Sequence, residues 1–97
     1  MDKQRLINAG YREFKDPLNN SDYGMQKRFR DEKGTKYFIN VYAYSHNGVE
    51  SFQPEIQYSE GKNPTMNVTL FSEDLNVIEG MFEALWNFLD KPYYEFD

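Results

Sequence analysis

In MQKRFRDEKGTKYFINVYAY (Met25 to Tyr44), two runs of alternating apolar and polar residues flank the turn signal DEKG. A loop of Glu32, Lys33 and Gly34 places Gly34 at the left-handed position that ends a type I turn with a bulge. That choice sets the register. Asp31 pairs with Thr35, Phe29 with Tyr37, Lys27 with Ile39 and Met25 with Val41. On the opposite face Arg28 lies across from Phe38, Gln26 from Asn40 and Arg30 from Lys36. A loop one residue shorter would mix apolar and basic side chains on both faces, because a one-residue slip inverts every side chain. The longer loop gathers Met25, Phe29, Tyr37, Ile39 and Val41 on one apolar face.

Working outward, Asp2 is placed to cap a short helix over residues 3–9 that turns Leu6 and Ile7 inward, with Gly10 as its C′ residue. YREF (Tyr11 to Phe14) reads as a short edge strand, and KDPLNNSDYG (15–24) as a loop. On the other side of the hairpin, Asn47-Gly48 marks a second turn. SFQPEIQYS then alternates, with Phe52, Pro54, Ile56 and Tyr58 inward and Gln53, Glu55 and Gln57 outward. Pro54 has no N–H for a ladder, so its strand has a free side there or a bulge. After the EGKNPT turn, MNVTLF points Met66, Val68 and Leu70 inward and Asn67, Thr69 and Phe71 outward.

The last element is a helix capped by Ser72. Leu75, Ile78, Phe82, Leu85 and Leu89 form its apolar stripe, widened by Val77, Met81 and Phe88. Gly80 within it suggests close packing against another element, and Pro92 ends it. The three aromatic residues of the terminal YYEFD are expected to fold back onto the body. Parity and periodicity assign Tyr37, Phe29, Phe52, Tyr58, Phe82 and Phe88 to the core. The expected architecture is α+β, one domain over 1–97: a two-layer sandwich with an antiparallel meander sheet of three to five strands. A short N-terminal and a long C-terminal helix share one face of it.

Composition narrows the function. Aromatic residues make up 18% of the chain, a richness that disordered chains lack. With no cysteine there is no disulfide and no thiolate chemistry. MDKQRLINAG lacks the pattern of a secretory signal, no apolar run reaches the roughly 18 residues of a membrane helix, and a cytoplasmic location is expected. Residues 1–49 hold nine Lys/Arg against six Asp/Glu, whereas residues 50–97 hold two against ten. Such two-sidedness bears on partners rather than on fold.

Catalytic groups are scarce. His46 is the single histidine, in a turn, where exposure is its usual state. Neither a Ser-His-Asp set, a phosphate-binding glycine loop nor a metal-ligand spacing occurs. The expectation is a non-enzymatic binding protein without cofactor or metal. Two surfaces are candidates. The outward sheet face carries Arg28, Arg30, Phe38, Asn40, Tyr42, Tyr44 and Phe71, with room for an exposed patch on the order of several hundred Å². The helix carries an acidic surface of Glu73, Glu79, Glu83 and Asp90, which in its plain reading is a solvated face.

Basic and aromatic residues on one hairpin face are also how single-strand binders stack bases and hold phosphates. KGTKYFINVY departs from the core octapeptide of RNA-recognition motifs, because Thr35-Lys36 intervene where an aromatic should follow the glycine. Single-stranded nucleic-acid binding is therefore the alternative to protein binding. A self-complementary patch would instead give a homodimer. KGTKYFINVYAY and LWNFLDKPYYEF resemble segments of small single-domain proteins of phages and prophages. The resemblance implies a modulator or inhibitor of a host machine and carries over no functional residues.

Overall fold

The computed structural model describes residues 1–14, 21–30, 34–60 and 63–88. Its elements are α1 (Lys3–Asn8), β1 (Arg12–Phe14), β2 (Tyr23–Arg30), β3 (Lys36–His46), β4 (Val49–Glu60), β5 (Asn63–Thr69) and α2 (Leu75–Phe88). The strands form one open antiparallel sheet in the order β1-β2-β3-β4-β5, a meander with a helix at each end of the described chain. This is the expected α+β arrangement.

The register of the β2–β3 hairpin is the expected one, with Phe29 opposite Tyr37, Lys27 opposite Ile39 and Met25 opposite Val41. Gly34 has φ +85°, the left-handed conformation on which that register depends. The Asp31–Thr35 pair lies outside the described residues. At the β3–β4 turn both central residues are left-handed, Asn47 at φ 51° and Gly48 at φ 77°, as a two-residue hairpin loop requires. Strand β2 starts at Tyr23, so Tyr23 and Gly24 belong to the sheet rather than to the preceding loop.

The helix-covered face holds the core. Met25, Phe29, Tyr37, Ile39, Val41, Ala43, Phe52 and Ile56 from the sheet meet Leu6 and Tyr11 from the α1 side and Leu75, Ile78, Phe82 and Trp86 from α2. Phe82 stacks on Phe29 with ring centroids 4.4 Å apart, and Trp86 meets Tyr37 edge-on, also at 4.4 Å. The buried stripe of α2 is thus rotated from the expected one. Trp86 takes the core position, Leu85 is half-buried, and Val77 and Met81 face solvent. The spacing 75/78/82 continues equally well to 85 or 86, and the large indole wins the deeper site opposite Tyr37. Phe88's side chain and Leu89 lie outside the described residues, as does the terminal YYEFD. Among the described residues, no atom beyond the neighbouring turns of its own helix backbone lies within 4 Å of where a Gly80 Cβ would stand, so no close packing seen there explains it.

Caps define both helices. Asp2 Oδ1 accepts the Arg5 N–H at 2.8 Å. At the other end of α1, Tyr11 N–H donates to Leu6 O and Gly10 N–H to Ile7 O, the paired bonds of a Schellman motif with Gly10 at φ 97°. Its hydrophobic contact is between Leu6 and Tyr11, both buried, while Ile7 turns outward instead of into the core. At α2 the capping side chain is Asp74, whose Oδ1 accepts the Asn76 N–H at 2.9 Å. The expected cap, Ser72, instead accepts the Asp74 N–H one step earlier.

Candidate interaction face

The sheet's second face is built from cross-strand rows, since residues paired in register share a face. One row runs Arg12, Gln26, Asn40, Glu55, Thr69 across all five strands. Its neighbours run Arg28, Phe38, Gln57, Asn67 and Phe14, Gly24, Tyr42, Gln53. Every sheet residue assigned to the outward face therefore has outward register. Their exposure is another matter.

Asn40 is 1% exposed and Tyr42 5%, against the expectation that both would lie open. Two local devices bury them. The Phe14 ring lies over Gly24, where a Cβ would come within 2.5 Å of it, and meets Tyr42 edge-on at 5.8 Å. Only glycine leaves room for an aromatic side chain to cross the neighbouring strand in this way. Around Asn40 the neighbours are long and polar. Gln26 Nε2 donates to Asn40 Oδ1 at 2.9 Å, and Asn40 Nδ2 donates to Gln57 Oε1 at 2.8 Å and to Glu55 Oε1 at 3.1 Å. Tyr42 Oη donates to the same Glu55 oxygen at 2.8 Å. Burial, then the hydrogen bond to Glu55 and that carboxylate's charge, push the Tyr42 phenol above its ordinary range.

The middle of the face is thus a pre-bonded polar plateau, with aromatic groups at its margins. Phe38 and Tyr44 are half-buried, Arg28 is half-buried and Arg30 exposed. Phe71 is 94% exposed. The backbone around it is nevertheless held. Leu70 N–H donates to Pro54 O at 3.0 Å, and the reciprocal bond, which Pro54 has no N–H to make, is replaced by Gln53 Nε2 donating to Leu70 O at 3.1 Å. Pro54 therefore sits where β5 runs out, and the bulge in this strand pair falls at Tyr58/Ser59 instead. On the far side of Phe71, Glu73 Oε1 accepts the Phe52 N–H at 2.6 Å. A shallow hollow lined by Phe52, Gln53, Leu70, Phe71, Ser72 and Glu73 lies at this corner.

The acidic surface is smaller than expected. Glu73 and Glu83 are exposed, but Glu79 is half-buried and turned toward Lys27, with Nζ 3.7 Å from its Oε1. Asp90 lies outside the described residues. His46 is exposed at the β3–β4 tip. Among the described residues no group of three His, Cys, Asp or Glu side chains is gathered to hold a metal, and no helix is long and apolar enough to cross a membrane.

Alternation and propensity do not single out Phe14, Gly24 or the Gln26–Glu55–Gln57 cluster. The cluster was within reach. Taking Asn47-Gly48 as a two-residue turn pairs His46 with Val49, and counting back places Asn40 opposite Glu55. These features define a five-stranded antiparallel meander whose second face, polar and rimmed by aromatic groups, is covered by no described helix. No family model, curated protein or solved structure matches the chain.

Proposed function

We propose that this protein is a non-catalytic, protein-binding module that docks through the outward sheet face, with Phe71 as its anchor. The observation that carries this reading is Phe71 itself: almost wholly exposed, yet flanked by backbone and side-chain bonds at Leu70 and Glu73. An exposed aromatic on held backbone loses little freedom on binding, which is how preorganised anchors gain affinity. Tyr44 and Phe38 widen the apolar margin, and the Asn40 plateau offers polar groups whose positions are already set. The resemblance to phage proteins and the absence of cysteine fit a cytoplasmic modulator or inhibitor of a host machine.

Arg12, Arg28, Arg30 and Lys36 occupy outward register positions on β1 to β3, which favours single-stranded nucleic acid as the second reading. Glu55 at the centre of the face opposes it. The chain immobilised on a support and exposed to cytoplasmic extract tests both readings. A protein retained by the native chain and lost with Phe71→Asp supports the first. Identical recovery with Phe71→Asp overturns the anchor. Salt-sensitive oligonucleotide binding that weakens with Arg28→Ala plus Arg30→Ala would favour the second. A sedimentation mass of two chains, abolished by Phe71→Asp, would make the partner a second copy.

A further inference from the structure

Helix α2 carries apolar residues on two sides. Leu75, Ile78, Phe82 and Trp86 face the sheet and are buried. At 3.6 residues per turn, Val77, Met81 and Ala84 fall on a separate row on the solvent side, at the spacing i, i+4, i+7. Val77 is 45% exposed and Met81 48%. Gly80 lies beside them over open space. A helix covering one sheet face needs a single apolar stripe, so this second row is surplus to the fold. Gly80 is also a poor helix former that no contact among the described residues requires.

We infer that this row docks a basic amphipathic segment of another protein, one with apolar side chains along one face and lysine or arginine beside them. Charge selects that occupant. Leu75–Phe88 contains no Lys or Arg, while exposed Asp74 precedes the row and exposed Glu83 stands on the adjoining flank of the helix. A second copy of α2 would bring those acids against their own kind. Residues 89–97 carry apolar Tyr93, Tyr94 and Phe96, but their Asp90, Glu95 and Asp97 against Lys91 match the row's charge in sign rather than oppose it. Gly80 and Ala84, four apart on this side, let a partner backbone approach closely, which gives Gly80 a use. This surface is separate from the sheet face, and Phe71→Asp leaves it intact.

The test is an NMR titration of the full chain with a synthetic amphipathic leucine/lysine helix. A leucine/glutamate counterpart and a lysine peptide of scrambled order serve as controls. Shifts confined to Val77, Gly80, Met81, Ala84 and their neighbours are expected, with the controls inert. Val77→Ser plus Met81→Ser should weaken binding about tenfold or more with the fold unchanged, the loss of roughly two exposed apolar contacts. Shifts spread over other acidic surfaces, or an undiminished affinity in that double variant, would overturn the proposal. So would a free-chain dimer abolished by Met81→Ser, or Met81 methyl contacts to the rings of Tyr93, Tyr94 or Phe96, which assign the row to a second copy or to the chain's own end.

Discussion

Lys27 Nζ stands 3.7 Å from Glu79 Oε1, on the face of the sheet that α2 covers. The same ammonium lies 5.7 Å from the Tyr11 ring centroid and 6.0 Å from that of Phe29. A lysine among core residues is tolerated because its stem packs while its charge meets a carboxylate at the rim. The Lys27 side chain is 12% exposed and that of Glu79 37%, so the pair is well screened on one side. Lys27→Met keeps the stem and removes the charge, and should cost under about 1 kcal/mol in urea denaturation. Lys27→Ala also removes the packing and should cost about 2 kcal/mol. Equal losses in the two variants would mean that the charge, not the stem, matters.

Gly24 and Phe14 should be coupled with a change of sign. In the native chain Gly24→Ala forces the Phe14 ring off Tyr42, with an expected loss of about 1 kcal/mol. Once Phe14→Ala has removed the ring, the same substitution relieves the glycine penalty in a strand and should stabilise by about 0.5 kcal/mol. A double-mutant cycle measures this directly. Additive effects would show that the ring does not depend on the glycine.

Alkali should unfold the protein through its tyrosines. Tyr23 donates to Glu50 Oε2 at 3.3 Å, and burial, the Glu50 charge and this hydrogen bond push its phenol up to about 12. Tyr42 is raised as well, by burial first and by Glu55 next. Unfolded tyrosines ionise near 10, so above that pH the unfolded chain gives up protons that the folded chain keeps. Their contribution is complete below pH 10 and, for Tyr23, fades as pH rises from there to about 12. Urea midpoints followed upward from pH 8 should fall, and Tyr42→Phe should flatten the fall. A midpoint equally steep in Tyr42→Phe would place the effect elsewhere.

Asn40 and Phe71 should separate stability from binding. Asn40→Ala deletes one acceptor and two donor links in the buried plateau and should cost about 1–2 kcal/mol, its partners being able to rehydrate in part. Phe71→Ala touches an exposed ring and should stay within about 0.5 kcal/mol of the native chain. Thermal melts of the two variants give the comparison. A Phe71→Ala melt as low as that of Asn40→Ala would make Phe71 a structural residue.

Gly80→Ala should stabilise the free protein by about 1 kcal/mol, because the helix interior is open there and alanine is the better helix former. A loss on substitution would reveal a neighbour close to that backbone.

The sheet was readable in sequence wherever one residue carried a conformational demand. Gly34 set the β2–β3 register, and Asn47-Gly48 marked the next turn. The exposure of the second face was not readable, because it depends on Phe14 reaching over Gly24 from the neighbouring strand, a contact between residues ten apart that neither alternation nor propensity encodes. The core position of Trp86 was lost for a different reason. Helical periodicity admits adjacent residues as continuations of one stripe, and only the shape of the cavity beside Tyr37 chooses between them. Alternation does give the outward parity of Asn40 and Tyr42, but parity reports direction and not solvent.

An open meander has two edges, and here neither invites addition of another chain. β1 is three residues long, and β5 pairs with β4 through a register shift at Tyr58/Ser59 and carries Pro64. Short or irregular edges are poor templates for strand-by-strand growth. A chain this rich in tyrosine and phenylalanine should therefore stay dispersed when concentrated, and light scattering should register aggregation only after the sheet itself has opened.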